Sequence, residues 1–303
     1  MMSTAGREID GAASAPGRPS EIEDPTNRWL IHPLSRVLVD RLVHTPITPN
    51  QVSVAGFLVG AAGAMAYVKL SWPWSALIGL AFWIAWHVLD GADGDLARRT
   101  GRASPLGELI DGVCDHASQV VLYVAFALVL QRAMGAGAWW LASAAGASHF
   151  AQANAYESGR KTYRRWVYGA AWMRQTGSGE GLGGLLGGLY LGVSALLSPG
   201  ESEVEAAMER RLSAGGPQAK EVRALYRQLF APLVKLSGVL GGNSRTVVAF
   251  LSVLAGKPAW FFWFELTVLN VALVLLLVRR ARLNAAFVGR LGAVSYQAAT
   301  APN

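Results

Sequence analysis

Two aspartate-rich segments decide how this chain folds: residues 90–98 read DGADGDLAR, and residues 107–115 read GELIDGVCD. The first segment ends one strongly apolar run and the second begins the next, and together they contain five aspartates. An unpaired carboxylate beside a hydrocarbon region is costly, so we expect a cation to compensate these side chains. The stretch therefore predicts a metal site between two helices of a membrane protein.

The composition also indicates an integral membrane protein. Hydrophobic residues make up 52% of the 303 residues and charged residues only 16%, and several apolar runs approach the length of a membrane-spanning helix. The formal net charge is +7, and the arginines cluster at the ends of the apolar runs. This distribution favours contact with anionic lipid headgroups and disfavours nucleic-acid binding. The single cysteine, Cys114, excludes an intramolecular disulfide bond.

The apolar runs predict an all-α fold with six membrane-spanning helices. Five spans are expected at about 52–68, from 75 into the first aspartate segment, at 106–129, at 138–156 and at 260–278. Either 181–197 or 247–255 supplies the sixth, and seven spans result if both cross. With an even number of spans both termini lie on one side, which the arginines make the cytoplasmic side.

Regions outside the spans predict the domain limits. Residues 1–24 lack a periodic apolar pattern and predict a disordered tail, and a membrane domain is expected over 25–290. Residues 291–303 are the C-terminal tail. A charged insertion at about 200–228, with four glutamates before Arg210 and Arg211, is interpreted as a solvated face.

The segment before the first span predicts a helix that lies in the membrane interface. Between residues 25 and 42, apolar side chains recur at helical spacing and arginines fill the intervening positions. Two prolines, Pro46 and Pro49, then end this helix. We expect Asn50 or Ser53 to cap the first span.

Helical spacing gathers four of the aspartates into one site. Asp90 and Asp93 are three residues apart, and Asp111 and Asp115 are four apart, so each pair lies along one helix face. Facing each other across a short loop, the four carboxylates form a cage of hard oxygen ligands suited to two Mg²⁺ or Mn²⁺ ions. The predicted cage contains no histidine or cysteine ligand that would favour Zn²⁺.

The spacing D-x-x-D-G-x-x-A-R, followed after eight residues by G-x-x-x-D-x-x-x-D, resembles the signature of the class I CDP-alcohol phosphotransferases. These are membrane enzymes that make phospholipids by displacing CMP from a CDP-linked alcohol. The resemblance extends to the interfacial helix, the sequence TPNQVS at 48–53 and the first four spans, and it is only general beyond about residue 166. The matching positions are Asp90, Asp93, Gly94, Ala97, Arg98, Gly107, Asp111 and Asp115.

The resemblance implies a role for each matched residue. Asp90, Asp93 and Asp111 would bind the metals, and Asp115 would be the general base while also approaching the second metal. Further residues would contact the CDP moiety: Asn50, Gln51, Val52, Ser53, Gly94, Ala97, Arg98, Ser104 and Gly107. Asp95 and Glu108 lie off the matched positions and are interpreted as solvated or structural.

A basic patch after the fourth span leaves two interpretations open. Its cations are Arg160, Lys161, Arg164 and Arg165. They are either a topology signal of a cytoplasmic loop or a pocket that binds a phosphate-bearing acceptor. The second interpretation favours an acceptor such as inositol phosphate or glycerol phosphate.

The sequence therefore predicts a transferase of substituted phosphate groups with its active site at the cytoplasmic membrane face. The expected partners are CDP-diacylglycerol as donor, a hydroxyl acceptor and membrane lipids, with no nucleic acid and with a homodimer left open. One alternative within the family uses CDP-choline or CDP-ethanolamine and a lipid acceptor. A metal or proton transporter is the alternative from another class, because intramembrane carboxylates also mark ion pathways.

Overall fold

The computed structural model describes residues 19–170, 188, 192–193, 197, 200–213 and 215–300, with side chains through residue 292. The regular elements in these ranges are all helices: α1 (His32–Leu42), α2 (Pro49–Lys69), α3 (Trp74–Arg99), α4 (Pro105–Met134), α5 (Gly137–Tyr168), α6 (Glu201–Ser213), α7 (Gly216–Leu236), α8 (Gly242–Leu254), α9 (Ala259–Phe264) and α10 (Asn270–Thr300). A π-helical turn, Glu265–Leu269, joins α9 to α10, and another, Asn27–Ile31, precedes α1. The predicted all-α class is confirmed.

Four helices within the described ranges are long and apolar enough to cross a membrane. They are Pro49–Lys69, Trp74–Arg99, Pro105–Met134 and the continuous helix Ala259–Gly292. The first three predicted spans and the last one therefore correspond to apolar helices of sufficient length.

The other predicted spans have different outcomes. The run 138–156 lies in α5, a helix of 32 residues that falls below the apolar level of the other four. Polar residues explain this, since Gln152 and Asn154 are buried within it. The run 247–255 lies in α8, whose 13 residues reach only about 20 Å and are too short to cross a bilayer. The run 181–197 falls outside the described residues except for isolated positions.

The start of α2 corrects the predicted cap. Thr48, rather than Asn50 or Ser53, is the N-cap, and its hydroxyl accepts a hydrogen bond from the Gln51 backbone N–H at 3.3 Å. The Gln51 side chain in turn accepts one from the Thr48 backbone N–H at 2.9 Å. This reciprocal capping box satisfies two helix-end donors, and Pro49 suits the first helical position because it has no N–H to satisfy.

Small residues bring the first three membrane-length helices into close contact. A Cβ atom at Gly60 would lie 3.0 Å from Trp86 on α3 and 3.1 Å from Ser118 on α4. A Cβ atom at Gly79 would lie 2.2 Å from the Tyr67 ring of α2, so no larger residue fits there without movement. Only glycine lets the helix backbones approach this closely.

A buried ion pair fixes α8 against the last membrane-length helix. Arg245 on α8 is 3% exposed and donates from Nε to Glu265 Oε1 at 2.9 Å, while Glu265 is fully buried. The other end of the guanidinium donates to Gln152 Oε1 of α5 at 2.6 Å and to the backbone carbonyls of Leu240 and Gly241. All three guanidinium nitrogens of Arg245 thus donate hydrogen bonds, as a buried cation requires.

The chain divides into two compact units. The first, which we call the aspartate unit, comprises Glu23–Tyr156 and Leu236–Leu277. The second, which we call the basic unit, comprises the described residues of 19–22, 157–235 and 278–300.

The charged insertion is a packed part of the basic unit, which corrects its interpretation as a solvated face. On α6, Val204, Ala207 and Met208 are buried, and on α7 so are Tyr226 and Phe230. Tyr226 stacks on Phe230 with ring centroids 4.2 Å apart. The two helices therefore have amphipathic character, with apolar faces turned into a core.

Glu21 ties the start of the described chain to the basic unit. Its carboxylate accepts hydrogen bonds from Tyr163 at 3.0 Å and from Tyr168, and Arg227 lies 3.4 Å away. Burial acts to raise the pKa of Glu21, but these hydrogen bonds and the charge of Arg227 outweigh it and hold the pKa below its ordinary value.

Candidate active site

Three carboxylates converge where α3 approaches its end and α4 begins. Asp90, Asp111 and Asp115 each offer one carboxylate oxygen, and the three oxygens lie within 4.8 Å of one another. All three candidate ligands are hard carboxylate oxygens and none is a soft ligand, which suits Mg²⁺ or Mn²⁺. The residues therefore fit the divalent metal that the sequence predicts, and we call this group the carboxylate triad.

Asp93, the fourth predicted metal ligand, lies outside the triad. It is 3% exposed, and its Oδ2 accepts a 2.7 Å hydrogen bond from the Ser53 hydroxyl of α2. Its Oδ1 accepts one from the Gly94 backbone N–H at 2.5 Å. Asp93 remains within electrostatic reach of Asp90 and Asp111. Three of the four predicted carboxylates are thus brought together, and the fourth is held beside them by Ser53.

Three of the predicted CDP-binding residues meet at the start of α4. Ser104 is the N-cap of this helix, and its hydroxyl accepts from the Gly107 backbone N–H at 3.0 Å. A Cβ atom at Gly107 would lie 3.2 Å from Ser104 Oγ and 3.4 Å from Asn50 Oδ1. The glycine therefore leaves a small polar recess between α2 and α4, one helical turn from Asp111.

Some of the other predicted CDP-binding residues make contacts within the protein. Val52 is 3% exposed and packs in a small core with Ala92 and Leu96, and Gln51 belongs to the capping box. Ala97 is partly buried on α3, and Gly94 faces the guanidinium of Arg98, which a Cβ atom would approach to 3.3 Å.

Arg98 has an acidic partner that the sequence reasoning left without a role. It forms an ion pair with Asp95 one turn earlier on α3, and the Asp95 side chain is 25% exposed. The pair orients the guanidinium at the surface near Gly94. Asp95 therefore has an ionic partner on its own helix.

A brace behind the triad was missed by the sequence reasoning. The indole Nε1 of Trp86 donates a 3.1 Å hydrogen bond to Ser118 Oγ, and both residues are buried. Trp86 precedes Asp90 by four residues on α3, and Ser118 follows Asp115 by three on α4. The bond therefore ties together the two helices that carry the carboxylates. The sequence did contain a signal for this bond, because Trp86 and Ser118, which can donate and accept a hydrogen bond, each lie one helical turn from an aspartate motif.

The basic patch lies in the basic unit, and its four cations differ in their surroundings. Arg165 donates to Glu205 at 2.6 Å and to Glu209 at 3.1 Å, so two carboxylates of α6 neutralise it. Arg160 pairs with Glu157 at 3.2 Å. Lys161 and Arg164 are partly buried. Arg165 thus docks the insertion on α5, a role that the sequence reasoning did not assign.

A comparison with protein families finds a match to the central part of the chain. Residues 46–170 match the family described as CDP-alcohol phosphatidyltransferase. This range contains the carboxylate triad, Asp93 with its Ser53 partner, and the recess around Gly107.

Individual relatives match over the same kind of partial range. Ethanolaminephosphotransferase 1 of Pongo abelii is 30% identical over 129 residues, which cover 38% of this chain and 31% of that protein. Cholinephosphotransferase 1 of Gallus gallus is 31% identical over 121 residues, which cover 37% and 35%. A bifunctional IPC transferase and DIPP synthase of Thermococcus kodakarensis is 36% identical over 90 residues, which cover 30% and 18%.

The chain thus spans about a third or less of the length of these relatives. Within that limit the spacing of the aspartates, the geometry of the triad and the family match agree. Residues 46–170 of this chain are therefore similar to the CDP-alcohol phosphatidyltransferase family in sequence and in the arrangement of the aspartates.

Proposed function

We propose that this protein transfers a phospho-alcohol group from a CDP-alcohol to a hydroxyl acceptor and releases CMP. The observation that carries the proposal is the carboxylate triad of Asp90, Asp111 and Asp115, within 4.8 Å, at the junction of two membrane-length helices in the matched domain. Enzymes of phosphoryl transfer act mainly by positioning and by charge stabilisation, which such an arrangement supplies.

The aspartates have different proposed roles in the reaction. Asp115 accepts the proton of the acceptor hydroxyl, whose oxygen forms a bond to phosphorus as the bond from phosphorus to the CMP oxygen breaks. Bound divalent metals, held by Asp90, Asp93, Asp111 and Asp115, would neutralise the pyrophosphate charge. Asp93 is oriented for this by Ser53.

The nucleotide is proposed to bind at the ends of the helices that flank the triad. The recess bordered by Asn50, Ser104 and Gly107 admits backbone contact with a ligand, and Arg98 offers a fork suited to phosphate. Gln51, Val52, Ser53, Gly94 and Ala97 complete the proposed set.

The donor is proposed to be CDP-diacylglycerol, with a polar and phosphorylated alcohol as acceptor. Arg160, Lys161 and Arg164 are the cations proposed to bind the acceptor phosphate, and Arg165 joins them only in part because α6 carboxylates neutralise it. A second combination of substrates is a small CDP-alcohol as donor and a lipid as acceptor. Its support is the similarity to proteins named ethanolaminephosphotransferase and cholinephosphotransferase.

The position in the membrane is part of the proposal. We expect six spans with the triad at the cytoplasmic face, and we expect two bound ions. The proposed interfacial helix presents apolar side chains to the outside: Trp29 is 75% exposed, Val37 is 53% exposed and Leu34 is 44% exposed. Arg28 lies over the Trp29 ring at 5.1 Å, as suits a headgroup region. The homodimer stays a prediction.

An assay of CMP release tests the proposed function. Purified protein in lipid nanodiscs is incubated with Mn²⁺ and either CDP-diacylglycerol plus glycerol 3-phosphate or inositol phosphate, or CDP-choline or CDP-ethanolamine plus diacylglycerol. Release of CMP that depends on metal and acceptor supports the proposal, and the active pair identifies the substrates. Lack of CMP release with every pair would overturn it and would favour the transporter alternative, which cation flux in proteoliposomes measures.

A further inference from the structure

The inner face of α4 continues beyond the carboxylate triad. Asp111, Asp115 and Gln119 follow one another at intervals of four residues, so the three side chains lie along one side of the helix. The same side goes on to Leu122, 2% exposed, and Phe126, fully buried, in the core of the aspartate unit. The opposite side is exposed, as at Val113 and Val120. Gln119 therefore faces the bundle interior, one turn beyond Asp115.

The side-chain carbonyl of Gln119 differs in its hydrogen bonding from Ser118 and Tyr123 on the same helix. Its Oε1 is buried and has no hydrogen-bond partner in the part of the chain that the structure describes. The neighbouring Ser118 hydroxyl accepts from Trp86 and donates to the Cys114 carbonyl, and the Tyr123 hydroxyl lies 3.0 Å from His149 Nδ1. A buried acceptor without a donor destabilises a protein, so a donor from outside the chain is expected at this position.

We propose that Gln119 Oε1 accepts a hydrogen bond from the acceptor alcohol, either from the attacking hydroxyl or from a hydroxyl beside it. This inference rests on the proposed function. It adds to that function a residue that contacts the acceptor substrate, in a position four residues from the proposed base.

The order of residues along α4 supports the acceptor over the nucleotide as the ligand. Ser104 and Gly107 stand at the start of the helix, where the nucleotide is proposed to bind, and Asp111, Asp115 and Gln119 follow in turn. In an in-line displacement the attacking oxygen and the leaving CMP lie on opposite sides of phosphorus. The residue beyond the base, on the side away from the nucleotide, therefore meets the attacking substrate.

The chemistry of the side chain narrows what it recognises. An amide carbonyl accepts a hydrogen bond from an O–H group, but it repels a phosphate oxygen and offers nothing to an acyl chain. The carbonyl oxygen of Gln119 would therefore bind a hydroxyl of the acceptor, whichever groups bind the rest of that molecule.

Gln119→Leu tests the contact, because leucine keeps the approximate size and removes the polar atoms. Gln131→Leu is the matched control, since it makes the same change on the same helix at an exposed site where the Gln131 side chain accepts a hydrogen bond from Trp139. CMP release is measured with the acceptor varied and then with the donor varied, using the active pair from the assay above. Thermal unfolding of substrate-free protein is measured in parallel.

For Gln119→Leu we expect the acceptor KM to rise roughly tenfold, as for one lost hydrogen bond in a buried site. The donor KM should stay within about twofold, and the substrate-free protein should unfold at the same or a higher temperature because an unmatched acceptor has been removed. The acceptor should also raise the unfolding temperature of the wild type more than that of the variant. Gln131→Leu should leave both KM values unchanged.

An unchanged acceptor KM, an equal rise in both KM values or a lowered unfolding temperature of Gln119→Leu would each overturn the contact. These results concern only Gln119, because the wild type releases CMP in all of them. If the wild type itself releases none with any pair, the proposed function fails and the contact fails with it.

Discussion

The Ser53 hydroxyl donates a 2.7 Å hydrogen bond to Asp93 Oδ2, which joins the start of α2 to the aspartate end of α3. Both residues are buried, at 5% and 3% exposure. One is proposed to contact the nucleotide and the other to bind metal. The bond therefore couples the two parts of the proposed site through a single pair of side chains.

Ser53→Ala is expected to weaken metal binding by removing this bond. A hydrogen bond to a charged group contributes about 1.5–3 kcal/mol, so the Mn²⁺ concentration for half-maximal CMP release should rise roughly 10-fold or more. Asp93→Ala should raise it further because the carboxylate itself is lost. Ser75→Ala, a buried serine at the other end of α3, is the control. Identical Mn²⁺ titrations for Ser53→Ala, Asp93→Ala and the wild type would contradict the role of this pair.

Asp115→Asn is expected to abolish turnover while it preserves binding. Asparagine keeps the shape of the side chain but cannot accept the proton, so CMP release should fall roughly 100-fold or more. Calorimetric titration should still detect Mn²⁺ and CDP binding. Asp40→Asn, at an exposed carboxylate paired with Arg99, is the control and should retain activity. Substantial CMP release by Asp115→Asn would remove its role as base.

Substitution of two arginines of the basic patch is expected to change different properties, the acceptor KM for one and the stability for the other. Arg160→Ala should raise the acceptor KM more than the donor KM if the patch binds the acceptor phosphate. Arg165→Ala should instead lower the free energy of unfolding by about 1 kcal/mol, because Arg165 pairs with Glu205 and Glu209. Kinetics and thermal unfolding of both variants separate these effects. Equal changes in the two KM values for Arg160→Ala would refute the acceptor assignment.

The buried pair of Arg245 and Glu265 predicts a non-additive effect on stability. Glu265→Ala leaves the guanidinium buried without its carboxylate, which should cost roughly 3–5 kcal/mol. The double variant Arg245→Met/Glu265→Leu removes both charges and should recover much of that loss. Unfolding of the detergent-solubilised proteins measures the difference. A single variant as stable as the wild type would show that the pair contributes no stability.

Local spacing predicted the helices and the alignment of Asp111 with Asp115, because both depend on residues close in sequence. Asp111 and Asp115 lie on one face wherever a helix forms, and the apolar runs around them extend over whole helices. The cap at Thr48 could also have been predicted, since Gln51 three residues later completes a capping box. Asn50 and Ser53, which are also favourable cap residues, were chosen instead.

Long-range partners account for what the sequence could not predict. The pairing of Arg165 with Glu205 joins residues 40 apart, and the burial of Gln152 depends on Arg245, 93 positions away. Nothing in the spacing of either residue identifies its partner. A charged segment therefore looked solvated, because only tertiary contacts show that its apolar side packs into a core.

The close approach at Gly60 and Gly79 also fixes the position of α2 along α3. If α2 slid along α3 by one turn, about 5.4 Å, Tyr67 would leave its place over Gly79 and Ser53 would lose Asp93. The two glycines therefore lock the height of the carboxylates along the membrane normal. The proposed transfer between a lipid and a water-soluble substrate would require this constant height, because the two molecules would have to meet at one level of the membrane.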